Sequence, residues 1–181
     1  GEGEEGGESE EGEEGESPQG ERVSHWEALV RNSEGRLSPE ELVEVGLARK
    51  QALDGALEND CKAALSAMKQ QASVPEEVLQ AWQAVLLLLG SDAVAPGAGA
   101  DWKTVRRAIN TNRKQFDPNS VFGLMSRADP SARPGRDGVA RAEEAAQILS
   151  SLSFHRCVEA SETCGILFEW ASLYRDLQDL S

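Results

Sequence analysis

The segment VPEEVLQAWQAVLLLLG, residues 74–90, constrains the fold more than any other stretch of this chain. From Pro75 to Leu89 it is apolar on nearly every face, yet it is only 15 residues long. A bilayer crossing takes about 20 apolar residues at a rise of about 1.5 Å each. The segment is too short to span a membrane and too apolar to lie on a surface. It predicts a helix buried on all sides. Pro75 starts it, because proline lacks the N–H that a helix interior needs, and Gly90 supplies a stop.

What surrounds that helix is helical as well. Ser38-Pro39-Glu40-Glu41 reads as an N-cap serine, a proline at the first helical position and a capping-box glutamate. From there to about Gln70 only Gly46 and Gly55 interrupt the pattern, so one long helix is expected. Its apolar positions, Leu42, Val45, Leu53, Ala56, Leu57, Ala64, Leu65 and Met68, form a narrow stripe. SDAVAPGAGA and DPSARPGRDG read as loops. Asp101 caps a short helix, WKTVRRAI, Asp117-Pro118 starts another through SVFGLMSR, and Val139 to about Leu152 is Ala-rich and helical. From the N-cap Ser153 no proline intervenes before Ser181, so a second long helix is expected. No stretch alternates as a strand does.

These elements predict an all-α fold: an antiparallel coiled coil of two long helices, capped by a small helical bundle, behind a disordered acidic N-terminal tail. The boundaries are tail and linker 1–37, first coil helix 38–72, distal bundle 73–152 and return helix 153–181. In the bundle, Trp82, Val85, Leu86 and Leu89 should be gripped by Trp102, Phe116, Phe122 and Leu124.

Charge divides the same way. Ten of the 32 acids are glutamates in residues 1–21, which hold no Lys or Arg. The net charge of −14 therefore belongs mostly to the tail, whose Glu/Gly/Ser composition cannot bury enough surface to offset its ordering entropy. The tail has no signal-peptide pattern. Cys61, Cys157 and Cys164 are odd in number, match no metal-ligand spacing and read as reduced thiols; His25 and His155 sit in no ligand motif.

Taken in order, the helix ending in LSAMK, the proline-marked break, PEEVLQAWQAVLLLLG, DWK, and Phe154, Val158, Ser161, Leu167, Trp170 and Tyr174 at their spacing resemble the microtubule-binding stalk tip of dynein heavy chains. The resemblance covers about residues 45–178. Val74 stands where the family has a first proline and Pro75 matches the second. The resemblance implies a microtubule-binding tip contacting α/β-tubulin, with binding coupled to sliding between the two coil helices. Gly46, Gly55 and Gly165 are expected to leave that register weakly specified.

By position the resemblance implies Lys69, Lys103, Arg106, Arg107, His155 and Arg156 as microtubule-facing residues and Pro75 as the helix-break hinge. It further implies a cytoskeletal, axonemal setting and a longer heavy chain around this segment. No P-loop, nucleophile motif or metal cluster supports an enzyme, and no cofactor, metal, nucleic acid or membrane partner is expected. The second reading is a stalk-like docking module of an axonemal protein with a non-tubulin partner. An acidic or mixed distal face with an exposed apolar patch would favour it.

Overall fold

The computed structural model describes residues 22–109 and 120–181, and the order of elements follows from local capping chemistry. α1 (His25–Asn32) opens at Ser24, whose hydroxyl accepts the Glu27 N–H at 3.0 Å. α2 (Pro39–Gly55) opens with the expected capping box: Ser38 Oγ accepts the Glu41 N–H and Glu41 Oε1 accepts the Ser38 N–H. Such caps contribute about 1 kcal/mol each.

The helix expected to run from Ser38 to Gln70 is not uniform. A π-helical turn, Ala56–Asp60, follows α2, Cys61 makes the junction, and α3 is Lys62–Lys69. Leu53, Leu57, Cys61 and Leu65 are all buried, a run spaced by four residues. In a regular helix each such step overshoots a full turn by about 40°. One wider turn absorbs part of that drift and keeps all four on the core side.

α4 (Glu76–Leu89) ends at Gly90, whose φ of 75° is the left-handed conformation that glycine adopts without strain. α5 (Trp102–Ala108) and α6 (Val121–Arg127) are short; Asp101 and Ser120 cap them. The expected start of α6 at Asp117-Pro118, like Phe116, lies outside the described residues. α7 is Gly138–Ser150.

The second long helix is broken, contrary to expectation. α8 (Phe154–Ala160) and α9 (Glu162–Leu180) meet at Ser161, which is extended at φ −173°, ψ 152°. Ser161 ends α8 and caps α9, accepting the Cys164 N–H at 3.0 Å. The turn folds α8 back onto α9. Gly165 permits this, since a Cβ there would stand 2.5 Å from Val158 Cγ2. Across the same elbow the Cys157 and Cys164 thiols are hydrogen-bonded, which together with burial pushes Cys164 far up.

α2 and α9 run antiparallel: Gly46 lies by Leu173 and Leu177, and Lys50 and Asp54 by Trp170. α9 also packs on α4, α7 and α8, so a single all-α core is shared between the pair and the bundle. α4 is buried along most of its length, with Trp82 and Val85 fully enclosed, but not on all sides: Leu79, Gln80, Gln83 and Leu88 are half-buried. Its main neighbours are α7 and α9 rather than the short helices. Trp102 and Phe122 do join the core, whereas Leu124 is exposed and Leu89 only half-buried. Nor are residues 22–37 merely linker, because α1 buries Trp26 against α2 and α9. Residues 1–21, the predicted disordered tail, lie outside the described residues. Among the described residues no helix is long and apolar enough to cross a membrane.

Candidate functional site

The six cations and the proline singled out above come from three places in the chain. Lys69 is the last residue of α3 and is half-buried. Two residues on, the Gln71 carbonyl accepts two bonds from α5, one from Trp102 Nε1 and one from Arg106 Nη1, both at 2.9 Å. An indole and a guanidinium on one carbonyl seat α5 against the break between α3 and α4. Lys103 and Arg107, on the same short helix, are exposed and have no carboxylate within ion-pair distance among the described residues. Asp101, also exposed, is held below the usual carboxylate range chiefly by the Thr104 backbone N–H.

Pro75 is exposed at the N-terminus of α4, where φ −58° and ψ 153° keep it outside the helix. The next residues, Glu76 and Glu77, favour the positive end of the helix dipole. Glu77 does more, accepting Arg156 Nη2 at 2.7 Å and so tying the start of α8 to the start of α4. Arg156 is thus already paired. His155 is engaged too: its Nδ1 accepts the Arg22 backbone N–H at 3.3 Å and its Nε2 lies 3.3 Å from Glu159.

The geometry therefore gathers Lys69, Lys103, Arg106 and Arg107 around the α3–α4 break. Arg156 adds to that face only through its pairing with Glu77, and His155 turns toward the N-terminal segment. The surface is basic with acids interleaved: Glu76, Glu77 and Asp101. Such a patch suits an acidic protein surface, with each exposed cation contributing under about 1 kcal/mol and a faster encounter.

Sequence reasoning missed a buried polar seam between α2 and α9. Glu169, 3% exposed, accepts Arg49 Nε and Nη2 at 2.8 and 3.0 Å and also the Trp26 backbone N–H at 2.9 Å. Lys50, also buried, donates to Asp54 at 3.0 Å and to the Met125 carbonyl at 2.7 Å. Asp54 accepts Trp170 Nε1 at 2.7 Å, and burial nonetheless raises its pKa. The Trp26 indole donates to Asp176, whose pKa burial also raises. Ser24-His25-Trp26-Glu27 carried the one usable sign, an S-x-x-E start before an apolar residue. Nothing in the sequence marks Glu169 or Lys50 as buried.

No group of three or more His, Cys, Asp or Glu able to hold a metal ion occurs among the described residues. No protein-family model matches the chain, and no match emerges among the curated proteins or the solved structures.

Proposed function

We propose that this chain is a filament-binding stalk tip of dynein heavy-chain type, engaging the acidic surface of α/β-tubulin through the α3–α4 break, α5 and the start of α8. The observation that carries this reading is the pair of hydrogen bonds that Trp102 and Arg106 donate to the Gln71 carbonyl. It brings cations from two separate stretches onto one face around a helix break. The antiparallel α2–α9 pair serves as the head of a coiled coil that continues in a longer heavy chain, in a cytoskeletal, axonemal setting. Its role is mechanical and adhesive rather than enzymatic.

Co-pelleting of the full chain with microtubules across a salt series tests this. Pelleting that weakens as salt rises, and falls about tenfold in a Lys103→Glu/Arg107→Glu variant, is the expected result. Absence of pelleting at low salt would move the assignment to a docking module with a non-tubulin partner. That second reading draws on the Arg156–Glu77 pair, which neutralises one expected contact, and on an apolar groove beside α1.

A further inference from the structure

α1, α2 and the α8–α9 elbow enclose a groove of about 960 Å³. Its floor is Val45, Phe154, Val158 and Ile166, with Leu29 and the exposed Leu37 along one edge. Val45, Phe154, Val158 and Ile166 are half-buried: Leu29, Phe154 and Ile166 lean on the edge of the core and Phe154 meets Phe168, so each leaves part of its apolar surface open to the groove. The volume stands at the upper end of small-ligand pockets, and its rim residues Arg22, Arg36 and Leu37 are open to solvent, as a surface for a peptide segment would be.

The charges at the rim narrow the occupant. Arg22 precedes α1 and Arg36 follows it, so the two bracket a helix about 12 Å long. Arg49 also lines the groove, but Glu169 accepts from its Nε and Nη2 along one edge of the guanidinium. Arg22 and Arg36 have no carboxylate partner among the described residues; the Arg22 guanidinium lies over the Phe154 ring, 5.8 Å from its centroid. Glu162 is the rim's one unpaired acid among them. Outside residues 1–21 the chain is nearly balanced, 22 acids against 18 bases, so an acidic partner is oriented by local rather than overall charge. Two arginines without carboxylates, bracketing an apolar floor, therefore mark where such a partner would be oriented.

We infer that the groove docks an amphipathic helix of a partner protein, one whose apolar stripe of about two turns is flanked at both ends by carboxylates. The stripe covers Val45, Val158 and Ile166, and the two acidic ends meet Arg22 and Arg36. The ionic contacts set orientation and partner choice, while the apolar floor supplies most of the affinity. This surface goes beyond the filament reading: α1 carries none of the residues assigned to filament contact.

The test is fluorescence anisotropy of the full chain with two labelled synthetic helices sharing one leucine stripe, one with glutamates at both ends and one with lysines. The glutamate probe should saturate and bind about tenfold tighter than the lysine probe. Arg22→Glu/Arg36→Glu, at two exposed positions, should reverse that preference with the circular dichroism spectrum unchanged. Leu37→Asp should weaken the glutamate probe. Equal binding of both probes, no saturable binding, or a preference that survives the double reversal would overturn the assignment. Displacement of the glutamate probe by a synthetic copy of residues 1–21 would overturn it too, giving the groove to the chain's own acidic segment.

Discussion

α4 and the α2–α9 seam are both buried, and they are held by opposite means. α4 places Val78, Ala81, Trp82, Ala84, Val85, Leu86 and Leu87 in the core, and its buried indole donates only to a sulfur, Met68 Sδ, at 3.5 Å. The seam is threaded with ions and indole bonds: Arg49 to Glu169, Lys50 to Asp54, Trp170 to Asp54, Trp26 to Glu169 and Asp176. Apolar contacts reward area and tolerate small shifts, so α4 supplies stability without insisting on one register. Buried ions are costly unless each finds its own partner, so the seam adds less stability and fixes how α2 lies along α9. A slide of α2 along α9 would part Arg49 from Glu169 and Asp54 from the Trp170 indole, stranding Glu169, while Lys50 and Asp54 move together on α2. The glycines expected to loosen this register act differently, since Gly46 is a point of close approach to Trp26, Leu173 and Leu177.

The largest effect should come from the apolar side of the comparison. Trp82→Ala should lower unfolding free energy by about 3–5 kcal/mol, the usual cost of truncating a core aromatic. Urea denaturation measures it, and a loss under about 1 kcal/mol would mean that α4 is not the centre of the core.

On the polar side, Lys50→Met should cost about 3 kcal/mol at neutral pH by leaving Asp54 without its cation. The deficit should also depend on pH, and the sign follows from Asp54. Its folded pKa is raised by burial, so in the folded state it holds its proton more tightly than in the unfolded chain. The group favours folding most at low pH, and that contribution is lost as pH rises through the folded pKa. Removing Lys50, which lowers the pKa, moves it further up. The variant's deficit should therefore be full above that pKa and shrink as pH falls through it, because a protonated Asp54 needs no cation. A deficit constant down to about pH 4 would show that Lys50 acts through its bond to the Met125 carbonyl instead.

Two glycines sharpen the contrast at smaller scale. A Cβ on Gly46 would stand 2.7 Å from Leu177 Cδ2, 3.1 Å from Trp26 Cη2 and 3.3 Å from Leu173 Cδ1. Gly46→Ala should therefore lose about 1 kcal/mol net, after the better helix propensity of alanine is counted. At Gly55 the nearest such atom is Asn59 Nδ2 at 4.0 Å, so Gly55→Ala should gain about 0.5 kcal/mol. The same sign for both, by thermal melting, would break the distinction between a seam glycine and a spacer.

The same contrast explains what could be read in the chain beforehand. α4 was legible because a mostly apolar run between Pro75 and Gly90, broken only by Glu76, Glu77, Gln80 and Gln83, has one reasonable solution. α2 was legible at its start, where Ser38 and Glu41 pair over three residues. Breaks that depend on distant contacts were not. Ser161 reads as any mid-helix serine until α8 turns back over Gly165, and the π turn after Gly55 answers to the spacing of buried residues further along. The basic face was half legible. Lys69 and α5 could be named from position, but that Arg156 is spent on Glu77 and His155 on the Arg22 backbone N–H and Glu159 depends on groups 79 and 133 residues apart and on one helical turn.

The α3–α4 break itself, where apolar rod and polar capping meet, carries the last contrast, whose smaller member is Pro75. If Pro75 alone holds it open, Pro75→Ala should let α3 run into α4 and raise helical content. The geometry argues otherwise. α3 stops at Lys69, and the Gln71 carbonyl, which a continuing helix would need for its own ladder, is committed to Trp102 and Arg106. Trp102→Phe keeps an aromatic ring and deletes one of those donors, so it should cost about 1 kcal/mol and, if the proposed filament contact holds, weaken salt-sensitive pelleting by loosening α5. Pro75→Ala should change stability by less than about 0.5 kcal/mol, since Pro75 is exposed and its conformation is open to any residue. Circular dichroism and melting of the two variants decide between them. A rise in helicity for Pro75→Ala would return the hinge to the proline, whereas a spectrum unchanged there and altered in Trp102→Phe would assign the break to α5 docking.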